Sequence, residues 1–370
     1  MKTPRSVEIE ITTRCNLRCA YCSHFSSAGD VEQDLPADEW LRFFKELNTL
    51  GILNVSLSGG EPFFREDLKG IIEGIVSNRM RYTILSNGTI VTGDMANFIF
   101  TTGRCDGIQI SIDGSSPEIH DQLRGKGTFK KAVNSIRLLQ QHKVPIQIRV
   151  TVHKHNVSDL GNIAKLLLND LSLPGFSTNS ASHLGLCRMQ NENIQLSIQD
   201  RMTAMNTLLN LSERYPGRIT ATAGPLAEAR QWMNMNKARR ENREPFPNGG
   251  YLSGCNKIWK KINISADGTM ITCIQMGHVK LGQINRDRLV EIWQGHPELR
   301  KMRERRHIPL SGFVQCRACE YIDYCTGGCP ALAYSMKGSI DLPAPDSCLK
   351  QFLEAGGTVP DRELATVNKH

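Results

Sequence analysis

From residue 6 to about 225, short apolar runs alternate with longer segments in which apolar residues recur every three to four positions. Trp40, Phe43, Phe44 and Leu47 lie on one face of a predicted helix, as do Leu68, Ile71, Ile72 and Ile75, and Phe129, Ala132, Val133 and Ile136. Ser197 and Asp200 make a capping box ahead of a further helix that carries Ile198, Met202, Met205 and Leu209 on one side. Strand candidates fall between the helices at 7–12, 55–58, 82–86, 107–113 and 146–153, with a weaker sixth near 176–181. Repeated strand–helix units of this kind predict a parallel sheet or barrel.

Two of these strands are not apolar throughout. Ile108, Ile110 and Ile112 face one way, and Gln109, Ser111 and Asp113 the other. Gln147, Arg149 and Thr151 likewise oppose Ile146, Ile148, Val150 and Val152. The apolar faces should meet the helices and leave the polar side chains in the lumen. A closed eight-stranded barrel fills that space with Val, Ile and Leu, so a polar lumen predicts a wider or incomplete barrel around a charged ligand. An exposed antiparallel sheet would alternate in the same way, but the intervening helices argue against it.

Residues 234–250, NMNKARRENREPFPNGG, are charged and then rich in Pro and Gly, the composition of a linker. The expected organisation is a core over 1–225, a bridging segment over 226–250, a cysteine-rich domain over 251–350 and a tail over 351–370 without a strong pattern. In the cysteine-rich part helical periodicity fades, which predicts folding around metal rather than around a large core. No apolar run approaches a membrane span. The N-terminus lacks the apolar stretch of a signal peptide, so the expected location is cytoplasmic. The net charge of +8 is modest and fits a solvated basic surface or a preference for an acidic substrate. The basic runs 237–243 and 300–306 read as solvated helix faces, with grip on an acidic peptide segment as the alternative. Neither a nucleic acid nor a membrane is an expected partner.

The chemistry is concentrated in the cysteines. Twelve in a chain without an export signal argue against disulfides. Cys15, Cys19 and Cys22, in CNLRCAYC, form a C-x3-C-x2-C loop just after the first strand. Three thiolates can hold a [4Fe–4S] cluster by three of its irons and leave the fourth open to a small molecule, whereas a structural site normally supplies four ligands. Seven more cysteines fall between 255 and 348. The two left over, Cys105 and Cys187, read as small buried hydrophobes.

CNLRCAYC after the first strand, SGGEP at 58–62 after the second and SNGT at 86–89 after the third resemble the radical S-adenosylmethionine superfamily. The resemblance covers residues 6–225. It implies a partial (β/α)6 TIM-like barrel with its active site at the C-terminal mouth of the strands. It also implies that S-adenosylmethionine chelates the open iron and is cleaved reductively to a 5′-deoxyadenosyl radical, which abstracts hydrogen from a substrate. In this family's pattern Tyr21 packs on the adenine. Gly59 and Gly60 leave carbonyls open to the methionine ammonium, with Glu61 and Pro62 fixing the turn. Ser111 and Asp113 suit the ribose hydroxyls and Arg149 the methionine carboxylate, although a structural role in barrel hydrogen bonding is equally open to all three. Asn87 belongs to the SNGT turn, where turn formation is the stronger reading. His183 and His153 are candidate catalytic proton carriers near the mouth, or else hydrogen-bonded structural histidines.

The second cysteine set, Cys255-x12-Gly268-x4-Cys273, then Cys316-x2-Cys319-x5-Cys325-x3-Cys329 and Cys348, resembles the seven-cysteine SPASM domain. That family holds two auxiliary [4Fe–4S] clusters. By position, Cys316, Cys319, Cys325 and Cys348 would ligate the second cluster, and Cys255, Cys273 and Cys329 the first. A zinc ribbon is the rival for any C-x2-C pair, but seven cysteines cannot fill two four-thiolate sites. The first cluster lacks a fourth cysteine, because 234–254 contains none. The place falls to a substrate atom, water, a non-cysteine side chain or Cys187, and an open iron facing the substrate is the expectation.

SPASM enzymes commonly modify peptides or proteins, which implies a peptide maturase. The anaerobic sulfatase-maturating type has a similar cysteine layout. It carries an aromatic residue after the third triad cysteine, where this chain has Ser23, and an acid after the cysteine matching Cys273, where this chain has Ile274; it therefore ranks lower. The other alternative is a small-molecule oxidoreductase or decarboxylase acting on a tetrapyrrole or sugar. A plain iron–sulfur electron carrier has no use for the GGEP turn. Expected partners are a low-potential electron donor such as flavodoxin or ferredoxin. Because the first strand starts so near Met1, a separate leader-peptide-binding protein or direct peptide contacts are also expected.

Overall fold

The alternating pattern becomes a succession of β–α steps in the computed structural model, which describes residues 2–25, 34–189 and 191–362. Its strands are β1 (Ser6–Thr12), β2 (Asn54–Gly59), β3 (Arg81–Ser86), β4 (Cys105–Ser111), β5 (Ile146–Val152), β6 (Phe176–Ser180), β7 (Ile219–Ala221), β8 (Lys261–Ile264), β9 (Thr269–Ile271) and β10 (Lys280–Gln283). The first nine α-helices are α1 (Ala37–Thr49), α2 (Leu68–Ser77), α3 (Gly93–Thr102), α4 (Pro117–Arg124), α5 (Thr128–Gln141), α6 (Leu160–Lys165), α7 (Asn191–Ile194), α8 (Ile198–Arg214) and α9 (Pro225–Arg240). All six strands expected from the sequence are present, each within two residues of its expected ends.

The chain divides into two compact units. The first comprises residues up to Ile112, Ser116–Ile148 and Asn256–Arg303. In it β1, β2, β3 and β4 pair in parallel, with Val7 opposite Val55 and Ile9 opposite Leu57. Trp40, Phe43, Phe44 and Leu47 of α1, and Leu68, Ile71, Ile72 and Ile75 of α2, are fully or almost fully buried. Asp38 and Glu39 in the first turn of α1 suit the positive end of its dipole. The predicted two-faced strand is observed: Ile108, Ile110 and Ile112 are 0 % exposed while Gln109 and Ser111 stay half-buried. β1 follows the same rule, with Val7, Ile9 and Ile11 on one face and Glu8, Glu10 and Thr12 on the other.

One addition to this unit was not foreseen. β8 pairs in parallel with the free edge of β1, Ser6 opposite Lys261 and Ile9 opposite Ile264, and β9 and β10 continue it antiparallel. Lys261 Nζ meets Glu8 Oε2 at 2.9 Å. Part of the cysteine-rich region thus folds on a sheet and not around metal alone, because an open edge strand presents unpaired backbone groups that another strand satisfies.

The second unit comprises Asp113–Ser115, Arg149–Cys255 and Glu304–His370, of which 363–370 lie outside the described residues. Here the end of β5 pairs in parallel with β6, and β6 with β7. The capping box of α8 is present, with both the Ser197 and Asp200 side chains engaged. Residues 226–240 of the expected bridging segment, whose later part has a linker's composition, lie in α9. Leu226, Ala229, Trp232, Met233, Met235 and Ala238 bury one side of it. Its basic residues made it look like linker, but they are paired: Arg239 meets Glu320 at 2.7 Å and Arg240 meets Asp361 at 3.0 Å. Part of the expected tail is also helical, at Leu349–Glu354.

Candidate iron–sulfur and cofactor site

The triad loop is held by the strand that launches it and by the two motif turns beside it. Thr12 Oγ1 donates to Asp34 Oδ2 at 2.6 Å and the Thr13 amide to Asp34 Oδ1 at 2.9 Å. The Gly60 amide donates to the Thr12 carbonyl at 2.8 Å, and the Glu61 amide to the Arg14 carbonyl at 2.9 Å. A Cβ on Gly59 would lie 2.2 Å from the Thr12 oxygen, and one on Gly60 2.2 Å from the Arg14 oxygen. Both glycines are therefore required where GGEP crosses the chain leading to Cys15. The sequence reading linked them to the cofactor ammonium; this structure supplies a packing reason that stands without it.

Glu61 and Asn87 tie the second and third motifs together. Glu61 is 0 % exposed, and its carboxylate accepts from Ser86 Oγ at 2.8 Å, the Asn87 amide at 2.7 Å and the Phe63 amide at 3.2 Å. Burial pushes its pKa up to about 7 against those donors and Arg124. With both oxygens engaged inside the protein, Glu61 clamps the second motif to the third, and Pro62 opens the 3-10 turn that follows it. Asn87 Oδ1 accepts from the Thr89 amide at 2.9 Å, the turn role, while its Nδ2 donates to Asn16 Oδ1 at 2.9 Å and lies 3.8 Å from Cys15 Sγ. The Leu17 amide lies 3.4 Å from the same sulfur. Cys15, Cys19 and Cys22 are all half-buried. Burial raises the Cys15 thiol, with smaller contributions from Glu61 and the Cys22 thiol. Tyr21 is 8 % exposed, with the Arg124 guanidinium 5.5 Å from its ring centroid.

Two members of this neighbourhood escaped sequence reasoning. Arg65, 6 % exposed, donates to the Ile11 carbonyl, to the Leu35 carbonyl at 2.9 Å and to both oxygens of Asp67. Glu10, on the polar face of β1, meets His24 Nδ1 at 2.7 Å. The polar alternation of β1 was a readable signal for Glu10; its partner two residues past the triad was not.

In the second unit the candidate residues take other roles. Asp113, 1 % exposed, accepts the Thr151 amide at 2.7 Å, and its carbonyl accepts from Asn156 Nδ2 at 2.9 Å. It staples the end of β5, the structural alternative left open for it. Arg149 lies opposite Ser177, half-buried, and burial lowers its pKa. His153 is 1 % exposed and its Nδ1 accepts the His155 amide at 3.2 Å. That hydrogen bond is a structural role for this histidine. His183 follows β6; its carbonyl accepts from Ser335 Oγ at 2.6 Å, while its buried Nδ1 has no partner among the described residues. Cys105 and Cys187 are buried as expected, at 9 % and 1 %, and burial raises the Cys187 thiol.

Cys316, Cys319, Cys325 and Cys348 all lie in the second unit, on short turns. Burial first, then the neighbouring Cys325, Cys348 and Cys319 thiols, push Cys316 up to about 11; Cys319 and Cys325 are raised for the same reasons. The three raised thiols, Cys316, Cys319 and Cys325, need positive charge in their midst to become thiolates, which iron supplies. Among the described residues no three His, Cys, Asp or Glu side chains close around a single metal ion. Cys255 and Cys329 are also brought together: a Cβ on Gly254 would lie 2.2 Å from the Gly328 carbonyl oxygen, so the residues just before the two cysteines touch. Cys273 belongs to the first unit.

Comparison with known proteins gives the same picture. Residues 9–167 match the radical SAM superfamily, and residues 255–320 match the SPASM iron–sulfur cluster-binding domain. PqqA peptide cyclase of Granulibacter bethesdensis is 25 % identical over 94 % of this chain and 88 % of its own length. AdoMet-dependent heme synthase of Methanosarcina barkeri is 28 % identical over 90 % of this chain and 93 % of its own. The fold is shared with Streptococcus suis SuiB bound to its precursor peptide SuiA, with a TM-score of 0.74 at 15 % identity over 94 % of this chain and 76 % of SuiB. It is also shared with anSMEcpe bound to AdoMet, with a TM-score of 0.69 at 18 % identity over 95 % and 96 % of the two chains. The chain carries a radical SAM domain over residues 9–167 and an iron–sulfur cluster-binding SPASM domain over residues 255–320, the make-up of a radical S-adenosylmethionine enzyme with iron–sulfur clusters.

Proposed function

We propose that this enzyme modifies a ribosomally made peptide or protein side chain. The observation that carries this is the resemblance of nearly the whole chain to PqqA peptide cyclases, with three at 23 to 26 % identity over 90 to 98 % of it. Cys15, Cys19 and Cys22 would hold the radical cluster. Tyr21, Ser111 and Arg149 are the candidate contacts for S-adenosylmethionine, and Asn87 borders the triad. When bound, the cluster and S-adenosylmethionine supply a 5′-deoxyadenosyl radical that takes hydrogen from the substrate. The protein's own part is positional: Asp34, Gly60, Glu61 and Asn87 fix the triad loop, and the polar faces of β1, β4 and β5 offer hydrogen-bonding side chains. Cys316, Cys319, Cys325 and Cys348 would hold one auxiliary cluster, and Cys255, Cys273 and Cys329 another with one iron open. His183 is the better of the two candidate proton carriers. A flavodoxin or ferredoxin would supply electrons in the cytoplasm, and a separate protein would present the peptide leader. No helix among the described residues is long and apolar enough to cross a membrane.

A second reading has an observation of its own. AdoMet-dependent heme synthases are 28 % identical over 90 % of this chain, which favours a tetrapyrrole substrate. Anaerobic assays on the reconstituted enzyme separate the two. We expect about twelve irons per chain, falling to about eight in the Cys15/Cys19/Cys22→Ala variant with loss of 5′-deoxyadenosine, four irons per cluster. A short peptide encoded beside the gene should then change mass with 5′-deoxyadenosine release. An unchanged peptide, with 5′-deoxyadenosine release stimulated by an iron porphyrin, would replace the peptide reading with the second.

A further inference from the structure

Arg305 is 2 % exposed, less than any other arginine in the described residues. Arg65, the next most buried, spends its guanidinium on Asp67 and two backbone carbonyls. Arg305 does not: its Nε and Nη2 have no hydrogen-bond partner among the described residues. The Asp341 carboxylate is 3.4 Å away as an ion pair, but its Oδ1 lacks hydrogen-bond geometry to any donor. A buried cation with unmade donors is costly, several kcal/mol as an order of magnitude. Such a group persists when something else accepts its hydrogens.

The surroundings say what that acceptor is. Besides Asp341, the ionisable groups near enough to act on Arg305 are the thiols of Cys255 and Cys329. The Gly254–Gly328 contact places those two cysteines on adjoining backbone. A cluster ligated there presents thiolate and sulfide acceptors and net negative charge, which a buried guanidinium satisfies. Hydrogen bonds and positive charge at the sulfurs are among the features that set a cluster's potential. We infer that Arg305 donates hydrogen bonds to sulfurs of the auxiliary cluster held by Cys255 and Cys329 and raises its reduction potential. In this arrangement Asp341 orients the guanidinium and partly offsets its charge. The inference rests on the assignment of Cys255 and Cys329 to an auxiliary cluster.

The test uses the full chain with Cys15, Cys19 and Cys22 changed to Ala, so that only auxiliary clusters remain, produced with guanidino-15N-arginine and reconstituted anaerobically. Iron is counted first. About eight irons per chain, falling to about four when Cys255→Ala and Cys329→Ala are added, supports the cluster assignment. Iron that is indifferent to those two cysteines overturns that assignment, and the inference with it. With full iron, pulsed EPR of the reduced clusters should show a 15N coupling that Arg305→Lys abolishes. In a redox titration Arg305→Met should lower the reduced-to-oxidised ratio at fixed poise about tenfold, 59 mV for a one-electron couple. With full iron, no 15N coupling, a coupling that survives Arg305→Lys, or an unmoved midpoint in Arg305→Met overturns the role of Arg305. If Arg305→Met cannot retain the cluster, the labelled measurement, made with Arg305 in place, decides.

Discussion

The two thiol-bearing regions are built on opposite principles. The triad loop leaves a parallel strand and is fixed by Asp34, Gly60, Glu61, Arg65 and Asn87, all supplied by the surrounding β–α frame. Hydrogen bonds within the protein define its shape. Cys316, Cys319, Cys325 and Cys348 sit on turns a few residues long, beside a small apolar cluster of Leu332, Ala333 and Ala344 packed with Leu184 and Cys329. Tyr321, Tyr324 and Leu349 are buried there too, but the elements that carry them are only a few residues long, so metal ligation is expected to carry more of the stability. One loop is a mould that receives its cluster; the other segment depends on its cluster for order.

Iron removal should separate them most sharply. Chelation under anaerobic conditions should raise hydrogen exchange across 314–350 at least about tenfold while the β1–β4 amides keep their protection, the behaviour of independent local unfolding. Equal loss of protection in both regions would erase the contrast. Next in size is Gly60→Ala, whose added methyl meets the Arg14 carbonyl at 2.2 Å. Overpacking against backbone should cost about 1–3 kcal/mol and remove about four irons, those of the triad cluster, leaving the auxiliary iron in place. Iron analysis of that variant reads the mould directly, and retention of full iron would mean that the loop is softer than its hydrogen bonds imply.

The smallest expected effect is a pH slope in the iron-free protein. Glu61 has a folded pKa of about 7 against an ordinary value of 4.5. The folded state therefore holds a proton that the unfolded state has released between those values, so stability is greatest below about 4.5 and falls as pH rises towards 7. Glu61→Gln should flatten that part of the melting-temperature profile, measured by thermal denaturation from pH 5 to 7.5. It should also lower stability by about 1–3 kcal/mol by setting an amide NH2 against a donor. An unchanged slope would assign the titration to another group.

The parts legible in the sequence were those with local periodicity. Strands β1 to β6, the α8 capping box and the two-faced β4 all follow from spacings within one element. The addition of β8 to β1 was not legible, because it joins residues about 250 positions apart through backbone groups that carry no residue identity. The α9 helix was hidden by composition: its apolar stripe of Leu226, Ala229, Trp232 and Met233 is followed by a basic run whose charges are neutralised by distant acids. Arg303 shows the same effect. It belongs to a run that read as solvated, yet its guanidinium lies 4.4 Å from the Trp293 ring centroid. The two cysteine sets and SGGEP stood out because their residue types and spacings match recurring family patterns, and for Gly59 and Gly60 the structure gives the physical reason, backbone contacts that leave no room for a Cβ. Glu61 was read as fixing the turn; its three internal donors, Ser86 Oγ and the Asn87 and Phe63 amides, were not legible because two of them come from a motif 25 residues away.

The contact between Gly254 and Gly328 also orders events in time. Cys15 to Cys22 leave the ribosome together, whereas Cys255 and Cys329 are 74 residues apart. At about 5–20 residues per second that interval is several seconds to about a quarter of a minute. On the ligand assignment proposed above, a nascent chain can complete its first site while the later one still waits for half of its sulfur. Iron delivery that fails late in synthesis would thus leave a recognisable product, loaded at the front and empty at the back.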